Sequence, residues 1–161
     1  MEVQEIAFRK QLQLAVALKL PVLVHCRKAF KRTLMILKEE NALKVGGIMH
    51  AFSGSVEMAS EFIQLGFTIA ICGTVTWDGA VRPVTLAREI PVAHLVLETD
   101  APDLSPQPFR GKPNQPAWLL HTLHAVAKNR GMLVEDFLRA THGNTLRVLK
   151  KLNPQVNQKI T

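Results

Sequence analysis

The sequence predicts an α/β fold of short parallel strands alternating with helices, on three observations. Four short runs are apolar at every position rather than at alternate ones, as strands covered on both faces are. Segments with helical periodicity separate them. Three of the four runs lead into a side chain able to bind a metal, His25, His50 or Asp100, and sites in parallel α/β proteins lie at the carboxyl ends of the strands.

Each element has its own reason. Phe8, Leu12, Ala15 and Val16 share one helical face over the first twenty residues, with Lys10 and Lys19 off it. Pro21 ends that helix, because it lacks the next donor and restricts Leu20. The first strand covers 21–24 and ends at His25, and a helix follows from about Lys28 to Glu40. The second strand, 46–49, ends at His50, before a helix over 56–65 that Ser55 opens and Gly66 closes. The third strand is 67–71, followed by a helix over about 81–89. The fourth, 95–97, runs into Glu98-Thr99-Asp100. Residues 101–114 hold four of the nine prolines and form a long loop. Helices over roughly 116–129, 134–141 and 144–152 complete the domain, and 153–161 is a polar tail.

The 161 residues are 47% apolar and 20% charged, which excludes a disordered or fibrous chain. No apolar run reaches the roughly 18 residues of a membrane span. The charged first twenty residues lack the pattern of a signal peptide, so a soluble, cytoplasmic chain is expected, with no membrane partner. Two cysteines make no disulfide framework. Twenty Lys and Arg against thirteen Asp and Glu leave a net charge of +7, which favours a polyanionic partner. A closed eight-stranded α/β barrel takes about 250 residues. Four strands cannot close one, so the sheet is either small and open or half of something.

His25, His50 and Asp100 converging at the strand ends would suit Zn²⁺ or Mn²⁺, with positions left for water and substrate. The alternative is that each histidine caps a strand or bonds a carbonyl.

The stretches QLQLAVALKLPVLVHCRKAF, GGIMHAFSGSVEMASEFIQLGFTIAICGTVT, IPVAHLVLETDAPDLSP, and FRGKPNQP with the later GNTLRVL resemble the C-terminal part of the TatD-like metal-dependent deoxyribonuclease family over residues 4–152. The resemblance implies that residues 1–152 are strands five to eight of a TIM (β/α)₈ barrel of metal-dependent hydrolase type. It also implies a phosphodiester hydrolase acting on DNA, as a deoxyribonuclease or 3′–5′ exonuclease. Its centre would hold divalent ions (Mg, Mn or Zn), two in the complete site. His25 becomes the metal ligand after the fifth strand and His50 the one after the sixth. Asp100, after the eighth, becomes a ligand that also holds or deprotonates the attacking water.

Around these, Arg27 falls on the face of His25 and either reaches a phosphate oxygen or makes a surface ion pair. Arg110 and Lys112 sit in the proline-rich loop beside Asp100, placed to contact a nucleic-acid backbone or simply solvated. Glu98 shares the face of Asp100 if the strand stays regular, and is expected to orient a ligand imidazole. Trp77 either stacks a base or covers the core. His121 and His124 read as surface residues and Cys26 as a small buried side chain.

The family's HxH pair after the first strand and its glutamate after the fourth have no counterpart here. An open half-barrel exposes its apolar inner face and two strand edges, so it is expected to self-associate, to take a separate N-terminal half, or to be a piece of a longer protein with Met1 internal. Activity of this chain alone is then in question. A non-catalytic fragment that binds nucleic acid or a partner, and an amidohydrolase-like enzyme with another substrate, are the alternative functions.

Overall fold

A computed structural model describes residues 2–149. The predicted tail 153–161 and the last residues of the final helix lie outside the described residues. In chain order the elements are α1 (Glu2–Leu18), β1 (Val22–His25), α2 (Phe30–Glu39), β2 (Gly47–His50), α3 (Val56–Gln64), β3 (Phe67–Ile71), α4 (Val81–Glu89), β4 (Leu95–Leu97), α5 (Leu119–Arg130) and α6 (Val134–Leu149). All four strands are parallel, in the order β1-β2-β3-β4. Each strand therefore lies beside its successor in the chain, with a helical crossover between, as in the wall of a barrel.

The register explains which side chains are hidden. Val24, Met49 and Ile69 align on the face covered by helices, at 3%, 0% and 0% exposure. They pack with Leu37, Phe62, Leu86, Val126 and Phe137 into one continuous core. Leu23 and Ile48 occupy the opposite face, where Leu23 on the outermost strand is 65% exposed. The exposed apolar face expected of a half-barrel is thus present at β1 but not at β3, which is buried along its whole length. Thr68 and Ala70 are small and sit between the larger Ile48 and Val96 of the neighbouring strands, so little of them reaches solvent.

Gly47 is required by close approach: a Cβ there would lie 2.0 Å from the Val22 carbonyl oxygen of the adjacent strand. Helix α1 buries Leu12 and Ala15, and its outer face is tied by ions. The Arg9 guanidinium reaches Glu5, Glu39 and Glu40, and Arg32 reaches Glu5. These cations hold the Glu5 and Glu40 carboxyls below the usual range.

One helix boundary differs from the sequence expectation. Residues 134–141 and 144–152 are not separate helices: α6 runs unbroken through Gly143 to Leu149. A mid-helix glycine costs roughly 1 kcal/mol, and tertiary anchors on both sides offset it. Phe137 and Thr141 are buried before it, and after it the Asn144 amide donates to the Val92 and Leu95 carbonyls, each at 2.7 Å. No helix among the described residues is long and apolar enough to cross a membrane.

Candidate functional site

Parallel pairing in register puts His25 and His50 side by side at the carboxyl end of the sheet, ring centroids 5.8 Å apart and inclined at 44°. The third contributor arrives from β4, which stops at Leu97. The Glu98 amide still bonds the Ile71 carbonyl at 3.1 Å, but its side chain crosses toward β2. Glu98 Oε2 lies 2.7 Å from His50 Nδ1, and Oε1 accepts the Ala51 N–H at 2.5 Å. Asp100 Oδ1 lies 3.0 Å from His50 Nε2. One imidazole is therefore held between two carboxylates.

The expectation that Glu98 and Asp100 share a face of a regular strand is corrected here. The strand has ended before them, and Asp100 adopts a left-handed backbone at φ +58°. The two carboxylates consequently address opposite edges of His50. Asp is among the residues that tolerate this conformation; Ala51, at φ +41°, is not. Such strain at the residue after His50 persists because Glu98 grips the Ala51 amide.

A cavity of about 730 Å³ opens beside Asp100 and His25, lined also by Arg27, Cys72, Trp77 and Arg110. Arg27 has no carboxylate partner among the described residues, so it is not the surface ion pair considered above. The Arg110 guanidinium lies 4.5 Å over the Trp77 ring, whose indole N–H donates to the Ser105 carbonyl at 2.8 Å. Trp77 thereby sets the position of a cation at the cavity wall. Gly73 lets loop 101–114 come this close, since a Cβ there would lie 2.2 Å from the Leu104 carbonyl oxygen. Phe109 stacks on Trp118 at 4.1 Å and holds the loop's far end.

Lys112 does not join Arg110. Its side chain is exposed and outside the cavity lining, while its carbonyl accepts the Ser105 hydroxyl, so backbone closure of the loop turns the side chain outward. His124 is exposed with Nδ1 2.6 Å from the Leu120 carbonyl, and His121 meets the edge of Phe109. Cys26 is buried, Sγ 3.2 Å from Thr33 Oγ1. Cys72 was not a sequence candidate. Burial pushes its thiol up, and the negative charges of Glu98 and Asp100 add to the effect.

Among the described residues no group of three or more His, Cys, Asp or Glu is arranged to hold a metal ion. The donors present nonetheless suit one in part. A neutral imidazole has one ring proton, and with it on Nδ1 toward Glu98, Nε2 turns a lone pair toward the Asp100 carboxylate. Two acceptors 3.0 Å apart need a cation or a proton between them. A carboxylate that fixes the tautomer of a histidine from one ring nitrogen leaves the lone pair of the other to bind a metal ion. His50 and Asp100, with His25 beside them, therefore fit as part of a divalent-ion site.

Known proteins resemble this chain along nearly its whole length. A family model described as TatD related DNase matches residues 1–150. The chain is 39% identical over 149 residues to the uncharacterized metal-dependent hydrolase YabD of Bacillus subtilis, covering 92% of this chain and 58% of that one. It is 38% identical to the uncharacterized metal-dependent hydrolase YcfH of Escherichia coli, covering 90% and 55%. The crystal structure of the TatD homologue YjjV from Escherichia coli superposes with a TM-score of 0.86 at 33% identity, over 91% of this chain and 56% of that one. A TatD family hydrolase from Entamoeba histolytica, 20% identical, shares the fold with a TM-score of 0.82. The chain thus spans about half the length of the curated relatives it matches.

Proposed function

Since this chain belongs to the TatD related DNase family, we propose that its strand ends supply the His25, His50 and Asp100 part of a metal-dependent phosphodiesterase site acting on DNA. The observation that carries the proposal is the Glu98–His50–Asp100 line, 2.7 Å on one side of the imidazole and 3.0 Å on the other, whose Asp100 end lines a cavity with Arg27 and Arg110.

Each residue has a role in this reading. Glu98 fixes the proton of His50 on Nδ1 and keeps Nε2 available as a donor atom. A divalent ion, when bound, supplies Lewis acidity that lowers the pKa of a water and offsets phosphate charge. Asp100 orients the attacking water and accepts its proton, with the carboxylate 32% exposed at the cavity floor. Arg27 and Arg110 take non-bridging phosphate oxygens, which a planar guanidinium binds at two points. The stack on Trp77 restricts Arg110 before substrate arrives, so less rotamer freedom is lost on binding.

The net charge of +7 and two arginines without a carboxylate partner among the described residues favour a phosphodiester over the amide or ester of a related amidohydrolase. A second reading, a nucleic-acid-binding unit without catalysis, is favoured because no three His, Cys, Asp or Glu side chains among the described residues, His25 included, are arranged to hold a metal ion. Hydrolysis of single-stranded DNA in Mn²⁺ separates the two. With the rest of the barrel supplied as a separate N-terminal half, the proposal expects metal-dependent cleavage that Asp100→Ala abolishes. Cleavage at the parental rate by that variant overturns it, and tight DNA binding with no cleavage supports the second reading.

A further inference from the structure

A second cavity, of about 580 Å³, lies next to the site and is lined by Lys28, Lys31, Arg32 and Arg82 with Phe30 and Met58 at its base. The two cavities share a wall. Arg27, Ser53 and Pro83 line the first, while their chain neighbours Lys28, Gly54 and Arg82 line the second. Three separate loop or helix segments thus step from one cavity into the other, each by a single residue.

The charge in the second cavity is uncompensated. Arg32 is bound to Glu5, but Lys28, Lys31 and Arg82 have no carboxylate partner among the described residues. Arg82 is instead held by the Ser53 carbonyl, at 3.2 Å, in the shared wall. No carboxylate lines the cavity, and Glu57, in the first turn of α3, lies outside its lining. Lys28 also adopts φ +59°, a left-handed backbone that a side chain bearing a Cβ occupies less readily than glycine does.

We infer that this basic cavity binds the phosphates of a DNA strand that continue past the one being cleaved, so that the strand runs from the Asp100 cavity across the shared wall between α2 and α3. The inference rests on the phosphodiester reading and adds a direction to it. The apolar base formed by Phe30 and Met58 offers a surface for the sugar or base between phosphates.

The test is the salt dependence of binding of a fluorescein-labelled oligothymidylate to the full chain. For single strands each phosphate neutralised contributes about 0.7 to the slope of log K against log salt. Lys31→Ala with Arg82→Ala is expected to lower the slope by about 1.4, on the same basis. Lys10→Ala with Lys44→Ala removes as much charge elsewhere and is expected to leave it unchanged. Lys28→Gly is expected to melt no lower than the parent while weakening DNA binding. An unchanged slope in the Lys31/Arg82 variant, or an equal fall in the Lys10/Lys44 variant, overturns the inference and leaves the phosphodiester reading standing. No salt-dependent DNA binding by the parent overturns both.

Discussion

Replacing Glu98 with glutamine changes one atom and tests how the site is held together. The carboxylate takes His50 Nδ1 at 2.7 Å and the Ala51 amide at 2.5 Å. Glutamine can keep the Ala51 bond through its amide oxygen, but it then presents an NH₂ group to His50. The ring proton must leave Nδ1 for Nε2, and the lone pair facing Asp100 is lost. A hydrogen bond to a charged group is worth about 1.5–3 kcal/mol. Loss of an outer-shell carboxylate weakens metal binding by roughly 10–100-fold, which is about 1.4–2.8 kcal/mol at 1.4 kcal/mol per factor of ten. Two independent routes thus give the same magnitude. Competition for Zn²⁺ with a chromophoric chelator should show a 10–100-fold weaker Glu98→Gln variant, and ¹⁵N spectra of the ring should show the His50 proton moved to Nε2. Parental affinity with the proton still on Nδ1 would refute the orienting role.

Other expectations address the scaffold. Asn144→Ala leaves the carbonyls of Val92 and Leu95 without their donor, so urea denaturation should show a loss on the order of 2–4 kcal/mol from unpaired buried groups; a loss under about 1 kcal/mol would show that α6 is held by its apolar face alone. The ion cluster of α1 gives a pH dependence. Glu5 and Glu40 have folded-state pKa values below the ordinary 4.5, so their contribution is complete above 4.5 and is lost as pH falls below it. Melting temperature should therefore drop on acidification from about pH 5 to pH 3, and less steeply in Arg9→Ala; an equal slope in the two proteins would contradict this.

The strands and most helix boundaries were legible because a buried parallel strand leaves a continuous apolar run and each run here is punctuated. His50 and Asp100 were readable as neighbours for the same reason, since strand ends converge on one rim. The helix through Gly143 was not readable, because Asn144 makes its bonds to residues some fifty positions earlier. Nor was the stack of Arg110 on Trp77, which depends on how loop 101–114 folds back over Gly73. Lys112 shows the converse: two cations close in sequence look equivalent until the backbone of their loop assigns one inward and the other outward. Glu98 was assigned its task on the premise of a regular strand, yet it reaches His50 because the strand ends early.

His25, His50 and Asp100 are proposed to belong to one divalent-ion site. Titration of the full chain with paramagnetic Mn²⁺, followed by the imidazole resonances of all six histidines, tests it most directly. His25 and His50 are expected to broaden first and together, His94, His121, His124 and His142 not to broaden, and Asp100→Ala to remove the effect. Equal broadening of all six, or broadening of His25 and His50 that survives Asp100→Ala, would contradict it.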